Sequence, residues 1–427
     1  MNRRTALTPE AKYEMLRDFS YRIRNTFDLD GILEHLLDAV LTMVRYDAAG
    51  IFVLKTDIAG SPYVREVGMI AGIARRGYDA RPVSRDPMLT LGKGIVGHVI
   101  RTGESLVIPD VRKDPRYVAG RTRTVSEIAV PILRDDRPVG ALNLESDTVS
   151  AFDETDLEVL RVVADAAAIA IEKAILHYQI LENRRIEDQL QIAEEVQKRM
   201  LPSAPPVFEG YDIAGLCLPT HEVGGDYFDY VHLGEAKLGI MIADVSGNGI
   251  PAALVMTSFR ALFLPSARSG MAPSQLMGQI GTLLPEFARR RDFITAFYGI
   301  LDARSHTFHY SNAGHNPPML IRPDGTIRRL AEGGPSLGIM PGQGYESGTV
   351  EIGVGETMVL FTDGVVEVFD RERQEFGDER LAGTVVRASA WAADVIVKRI
   401  AQVTGSFHGS DRFEDDFTVV VVKRSYH

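Results

Sequence analysis

The chain has 427 residues, 45% hydrophobic and 25% charged, an ordinary globular balance with length for about two or three separate cores. Its net charge of −11 opposes the phosphates of a nucleic acid and an anionic membrane surface, so neither is an expected partner. The single cysteine, Cys217, excludes an internal disulfide and a thiolate metal cage; a buried structural thiol in a reducing, cytoplasmic setting is expected.

The N-terminal stretch MNRRTALTPEAKYE lacks the apolar run of a secretion signal. From Thr8 to Phe27 the sequence predicts a helix, with Thr8 as N-cap and Pro9 in the first turn. LDGILEHLLDAVLTMV predicts a second, because Leu29, Ile32, Leu36, Leu37 and Val40 recur at helical spacing. The period then changes. AAGIFVL, VREVGMIAGIAR, SEIAVPILR and RPVGALNLES are short, branched and bounded by turn residues, which predicts an antiparallel sheet flanked by helices.

Asp153, with Asp156 three residues on, marks the start of a helix that continues to about Met200, about 70 Å at 1.5 Å per residue. Arg161, Asp165, Glu172 and Lys173 interrupt its apolar window, so a membrane span is not expected. Leu157, Leu160, Val163, Ala167 and Ile171 form one stripe, and Ile186, Leu190, Ala193 and Met200 another. The heptad-like steps predict a parallel two-stranded coiled coil between identical chains, with a solvated connecting helix as the alternative. LPSAPP ends the helix, since proline cannot continue the hydrogen-bond ladder. Beyond it, KLGIMIADV, DFITAFYGILD, TFHYSN, TMVLFTD and FTVVVVKR predict buried strands, and GIPAALVMTSFRALFL and WAADVIVKRIAQV amphipathic helices.

Aspartates stand where these strands stop. Asp244 follows KLGIMIA, Asp363 follows TMVLFT, Asp415 and Asp416 precede FTVVVV, and Asp226 follows Gly224 and Gly225. One such aspartate is ordinarily a turn residue; four on rigid mounts suggest a shared purpose. Carboxylates at close quarters stay ionised only if something positive joins them, and an oxygen-only set without histidine or cysteine suits Mg2+ or Mn2+. Two such ions about 4 Å apart can activate a bridging water and hold a phosphoryl group for in-line attack.

GGDYFD, ADVSGNGIPAAL, SNAGHNPP, LFTDGVVE, FGDERL and EDDFTVVVV, in this order, resemble the SpoIIE-like serine phosphatases of the metal-dependent PPM (type 2C) superfamily. The resemblance implies two stacked antiparallel sheets with helices outside and two ions, Mn2+ or Mg2+, at one end. Carried over by position, it makes Asp244 the bridging carboxylate, with the Val245 carbonyl on one ion. Asp363 and Asp415 would hold the other, and Asp226 would reach a metal directly or through water. Asp229 and Asp416 would support these ligands, with hairpin or strand-end hydrogen bonding as the alternative. Asn312 and His315 bound a family loop that either shapes the sheet corner or touches substrate. Two departures matter: Asn248 stands where many relatives have histidine, and HEVGGD offers His221 and Glu222 where type 2C enzymes carry a phosphate-gripping arginine. The source of the leaving-group proton stays open, with metal-bound water as the default. A GGDEF-type nucleotide cyclase would not need the TDG and DDFT motifs, and a metal-lacking pseudophosphatase would not need all four aspartates.

LGKGIVGHVIRTGESLVIPDVRKDPRY, followed by SEIAVPIL and RPVGALNLES, resembles a GAF domain. Its ligand is not specified. No cysteine is available for covalent bilin attachment, His98 is more readily a surface residue than a haem ligand, and an empty dimerisation module is an alternative. The expected architecture is α+β: an N-terminal helix (1–28), a GAF sensor (29–175), a coiled-coil linker (176–206) and a PPM-type α-β-β-α sandwich (207–427). A homodimer joined through the GAF domain and the coiled coil is expected from the heptad-like spacing. The resemblance to the SpoIIE-like phosphatases implies a protein-serine phosphatase whose substrate is a phosphorylated STAS-type anti-anti-sigma protein.

Overall fold

The computed structural model describes residues 28–54, 70–78, 91–289, 291–340, 342–409 and 413–425, together with Glu14, Arg17 and Tyr21. The helix expected over Thr8 to Phe27 lies almost wholly outside these residues. The chain divides into two compact units, Met1–Ile186 and Glu187–His427.

In the first unit, helix α1 (Leu29–Met43) starts at Asp28, whose carboxylate accepts the Gly31 N–H. Strands β1 (Ala48–Leu54), β2 (Ile70–Arg76), β3 (Leu106–Ile108), β4 (Ser126–Arg134) and β5 (Arg137–Ser146) form an antiparallel sheet in the order β2-β1-β5-β4-β3. One face packs on α1 through Leu33, Leu36 and Leu37, while the other carries α2 (Gly94–Thr102) on Phe52, Ala129 and Ala141.

Helix α3 (Glu154–Lys198) has 45 residues and runs across the division between the units. Its start is a reciprocal cap. Asp153 Oδ1 accepts the N–H groups of Thr155 and Asp156, and Asp156 Oδ2 accepts the Asp153 N–H, so first-turn donors that have no helical partner are satisfied. The stripe Leu157, Leu160, Val163, Ala167 and Ile171 is buried in the core of the first unit. It is therefore a core face. A different face of the same helix leaves Val162, Ile169, Leu176 and Ile180 exposed, at steps of seven, seven and four.

The second unit is a sandwich. One sheet runs β13-β10-β9-β8-β7, with β14 also on β10; the other runs β12-β11-β15-β16-β6. The strands that matter most are β6 (Tyr211–Leu218), β7 (Tyr227–His232), β8 (Lys237–Val245), β9 (Ile294–Asp302), β10 (Thr307–Ala313), β15 (Thr357–Phe361) and β16 (Phe417–Arg424). The remaining strands are β11 (Met319–Ile321), β12 (Ile327–Arg329), β13 (Gly333–Gly334) and β14 (Gly348–Glu351). All the ladders are antiparallel except the short β10–β13 pair.

Alternation along each strand explains the layering. Ile240, Ile242, Leu360, Val420 and Val422 point into the core between the sheets. Met241 and Ala243 point out under α4 (Gly249–Arg268) and α5 (Pro273–Leu283), while Val359, Phe361, Val419 and Val421 point out under α7 (Gly377–Arg387) and α8 (Ala393–His408). A short turn of helix, α6 (Asp363–Val366), follows β15 directly. Among the described residues one helix, α4, is long and apolar enough to cross a membrane, and its Met256, Phe259 and Phe263 are buried in the core on the β7–β10 sheet.

Candidate metal centre

The sandwich brings strand ends from both sheets to one place. Asp244 closes β8, Asp363 opens α6 after β15, Asp415 and Asp416 precede β16, and Asp226 immediately precedes β7. Asp416 makes the join. Its buried carboxylate accepts the Thr220 N–H at 2.8 Å through Oδ1 and the Gly225 N–H at 2.7 Å through Oδ2, with the Asp226 N–H at 3.4 Å. One side chain thus fixes the backbone that presents Asp226, across 191 residues of sequence.

The glycines follow from this approach. A Cβ on Gly224 would lie 2.3 Å from Asp416 Oδ2, one on Gly225 would lie 2.8 Å from the Val245 carbonyl, and one on Gly364 would lie 2.1 Å from the Asp416 carbonyl. No side chain fits at these points without a shift of backbone or of the anchoring carboxylate. The glycine pair in GGDYFD therefore lets two chain segments touch, and Asp226 is held toward Asp244.

Electrostatics agree with the geometry. Burial, then the facing charge of Asp244, push the Asp226 carboxyl well above the usual carboxylate range; Thr362 Oγ1, donating to Oδ2 at 2.9 Å, partly offsets them. Asp244 is pushed up to about 7 by burial and then by Asp363, Asp415 and Asp416. Asp363 is raised by burial and Asp415, and Asp415 by burial and Asp416. Among the described residues, no lysine, arginine or histidine relieves Asp244 or Asp363. Two carboxylates about 5 Å apart repel by about 3 kcal/mol at an effective dielectric of about 20, so a cation is the natural complement.

The donor set fits a hard divalent ion: four carboxylates, with the Val245 carbonyl beside a residue that has no side chain. Among the described residues, no three His, Cys, Asp or Glu side chains are already gathered into a metal cage, so an ion would have to draw these carboxylates inward.

The remaining candidates have other partners. Asp229 accepts the Tyr227 hydroxyl at 2.5 Å and the Tyr230 N–H at 2.8 Å, and lies 4.0 Å from Arg260 Nε. Asn312 spends both ends of its amide on the His315 backbone, accepting its N–H at 2.7 Å and donating to its carbonyl at 2.9 Å. These bonds shape the turn after β10. His315 is buried with Nδ1 on Thr295 Oγ1, and burial lowers it to about 4, so it is neutral near pH 7. Cys217 is raised by burial and by Asp226, which suits a structural thiol. In the first unit, His98 has a nitrogen 3.4 Å from each of Arg101 and Arg116, surroundings unsuited to a haem ligand.

Four features were not singled out from sequence. Thr362 stands at the N-cap position of α6 without a side-chain capping bond, its hydroxyl donating instead to Asp226; a threonine between an apolar strand and Asp-Gly was the available signal. Gln197, near the end of α3, grips Gly224 twice, donating to its carbonyl at 2.7 Å and accepting its N–H at 3.0 Å. Arg260 Nε donates to the Met200 carbonyl, holding the same helix end. Finally, a cavity of about 330 Å³ beside Val245 is lined by Ser246, Gly247, Asn248, Arg289, Arg291 and Asp292. The basic run before DFITAFYGILD signalled its arginines.

The family description "Stage II sporulation protein E (SpoIIE)" matches residues 234–425, and "GAF domain" matches residues 27–172. The phosphoserine phosphatase RsbU of Bacillus subtilis (strain 168) is 30% identical over 243 residues, 56% of this chain and 71% of RsbU. The chain belongs to the SpoIIE-like PPM phosphatase family and carries a GAF domain. This SpoIIE-like chain is also 27% identical to Protein IcfG of Synechocystis sp. over 264 residues, covering 56% of this chain but only 42% of IcfG. The SiaA-PP2C domain of Pseudomonas aeruginosa shares the fold of the second unit at 21% identity and a TM-score of 0.50, over 57% of this chain and 98% of that domain.

The raised acids of the SpoIIE-like site make stability depend on pH in a defined direction. A carboxyl raised on folding binds its proton more tightly in the folded state. Its contribution is therefore complete below the unfolded value near 4 and is lost as pH rises through about 7. Metal-free protein should lose stability between about pH 5 and about pH 8 relative to Asp244→Asn, and Mn2+ should recover more at the higher pH. Thermal melts of both proteins across that range check this. A wild-type curve parallel to that of Asp244→Asn, with or without Mn2+, would contradict it.

Proposed function

We propose that this protein is a cytoplasmic, metal-dependent protein-serine phosphatase that hydrolyses phosphoserine on a STAS-type anti-anti-sigma protein, under control of its GAF unit. The observation that carries the reading is the crowding of Asp226, Asp363 and Asp415 around Asp244, with no cation among the described residues acting on Asp244 or Asp363. The likeness to RsbU, a phosphoserine phosphatase, supports the substrate class.

In this reading the four aspartates and the Val245 carbonyl hold Mn2+ or Mg2+. A pair of such ions supplies activation of water and neutralisation of phosphoryl charge. The chain supplies position. Asp416 and Thr362 fix Asp226, Gly225 keeps the backbone at Val245 uncovered, and β8, β15 and β16 provide rigid mounts. Arg289 and Arg291 border the adjacent cavity and offer guanidinium groups to the phosphoserine, a role that the segment before GGD does not fill. Asn248, as an amide, offers hydrogen bonds there but no titratable proton.

Asp244→Ala should abolish Mn2+-dependent phosphate release from a phosphorylated STAS protein while leaving the circular dichroism spectrum unchanged. Normal turnover in that variant would refute the metal assignment. A wild-type protein that binds the phosphoprotein but releases no phosphate under any metal would establish the binding-only alternative.

Control is assigned to α3. Gln197 ties its end to the Gly224 backbone two residues before Asp226, so a rotation of the helix changes the placement of the first carboxylate. The exposed stripe Val162, Ile169, Leu176 and Ile180 has coiled-coil spacing and fits the same face of a second copy, giving a homodimer through which the GAF unit acts. Glutamate at both Leu176 and Ile180 should yield a monomer whose phosphatase activity differs by about 5- to 150-fold from that of the dimer. Light scattering and a phosphate-release assay check the pair of effects; a dimer that persists, or a monomer of unchanged activity, would overturn this arrangement.

A further inference from the structure

One buried histidine at the metal end of the sandwich is unused by the proposed reaction. His315 follows β10 and is 4% exposed, so its ring has no open face for a substrate. Both ends of the Asn312 amide hold its backbone. The first sheet meets the ring through Thr295. Phe297, two residues further along β9, packs in the core between the sheets, so alternation turns Thr295 inward as well. Thr295 is directly opposite Asp244 in register, and its Oγ1 lies 2.9 Å from His315 Nδ1. His315 thus engages β9 at the level of the carboxylate that closes β8.

The second sheet meets the ring through backbone. The Thr362 N–H donates to the Thr418 carbonyl on β16, so alternation along β15 turns the N–H and C=O of Phe361 away from β16. On that side β11 begins only at Met319, opposite Val359, which leaves the Phe361 carbonyl beyond the end of the ladder. This carbonyl acts on the His315 ring, without a hydrogen bond of ordinary geometry. A carbonyl only accepts, so a ring that serves it carries its proton on Nε2, and Nδ1 is left to accept the Thr295 hydroxyl. Burial lowers the imidazole to about 4, so it is neutral near pH 7 and one tautomer suits both partners.

We infer that His315 is a positioning residue that sets the distance between Asp244 and Asp363. Nδ1 holds β9 opposite Asp244, and Nε2–H closes on the Phe361 carbonyl, two residues before Asp363, when a divalent ion draws the acids inward. The role rests on the metal centre proposed for these aspartates and adds to it a side chain that touches neither ion nor substrate. Each sheet carries its own acid, and His315 is the link between the two strand ends.

The test is calorimetry of Mn2+ binding to the full-length protein at pH 7. His315→Phe keeps the bulk of the ring and loses both hydrogen bonds, and Thr295→Val keeps the volume of its side chain and loses the donor. Each should weaken Mn2+ binding by about 10- to 100-fold. The double variant should be no weaker than His315→Phe alone, because both changes break one link. His315→Gln, whose amide nitrogen falls where Nε2 stands, keeps the donor to Phe361 and should stay closer to wild type than His315→Phe. A ring that merely fills space predicts the reverse order, and Thr295→Val decides the matter should His315→Phe not fold. Undiminished binding by Thr295→Val or by a folded His315→Phe, or tighter binding by His315→Phe than by His315→Gln, would overturn the inference while the metal centre stands. A wild-type protein that binds no Mn2+ would overturn both together.

Discussion

Hydrogen bonds that the Asp416 carboxylate accepts from the N–H groups of Gly225 and Asp226 determine where the first carboxylate stands. They require close passage of three chain segments, which the absence of side chains at Gly224, Gly225 and Gly364 permits. The energetic conflict at the site follows from this packing. Four acids are carried to one opening by strands whose hydrophobic faces are buried on both sides, so the cost of crowding negative charge falls on a scaffold unable to relax away from it. A divalent ion held there would offset that cost.

The two units use buried carboxylates differently. In the second, like charges crowd around Asp244, and no cation among the described residues acts on Asp244 or Asp363. In the first, the buried Glu127 and Glu145 are directly opposite in register and share the Asn143 amide, which donates to both. Helix α3 belongs to both units: its first stripe is core, its Asp153 cap fixes its start, and its last turns end on Gly224 and Arg260. The helix is thus packed into a core at its start and held by hydrogen bonds at its end.

Much of the fold was legible because its strands are short, branched and punctuated by turns. SEIAVPILR, RPVGALNLES, KLGIMIADV and FTVVVVKR coincide with β4, β5, β8 and β16 residue for residue. The stripe from Leu157 to Ile171 read correctly as an apolar helical face, but periodicity alone does not say whether such a face meets its own domain or a second chain. The aspartates were legible as strand-end residues. Their hydrogen-bond partners were not: Thr362 is 136 residues from Asp226, and no local spacing encodes that bond. Asp229 sits beside the motif in sequence, yet pairs with Tyr227 and Arg260, because alternation along β7 sends it to the opposite face from Phe228.

The central claim is that these strand-end acids converge on divalent ions. Anomalous diffraction at the manganese edge, from crystals grown with Mn2+, tests it most directly. The account predicts manganese peaks bounded by Asp226, Asp244, Asp363 and Asp415, with the Val245 carbonyl in contact. Full-occupancy manganese elsewhere on the protein with none among these aspartates would contradict it.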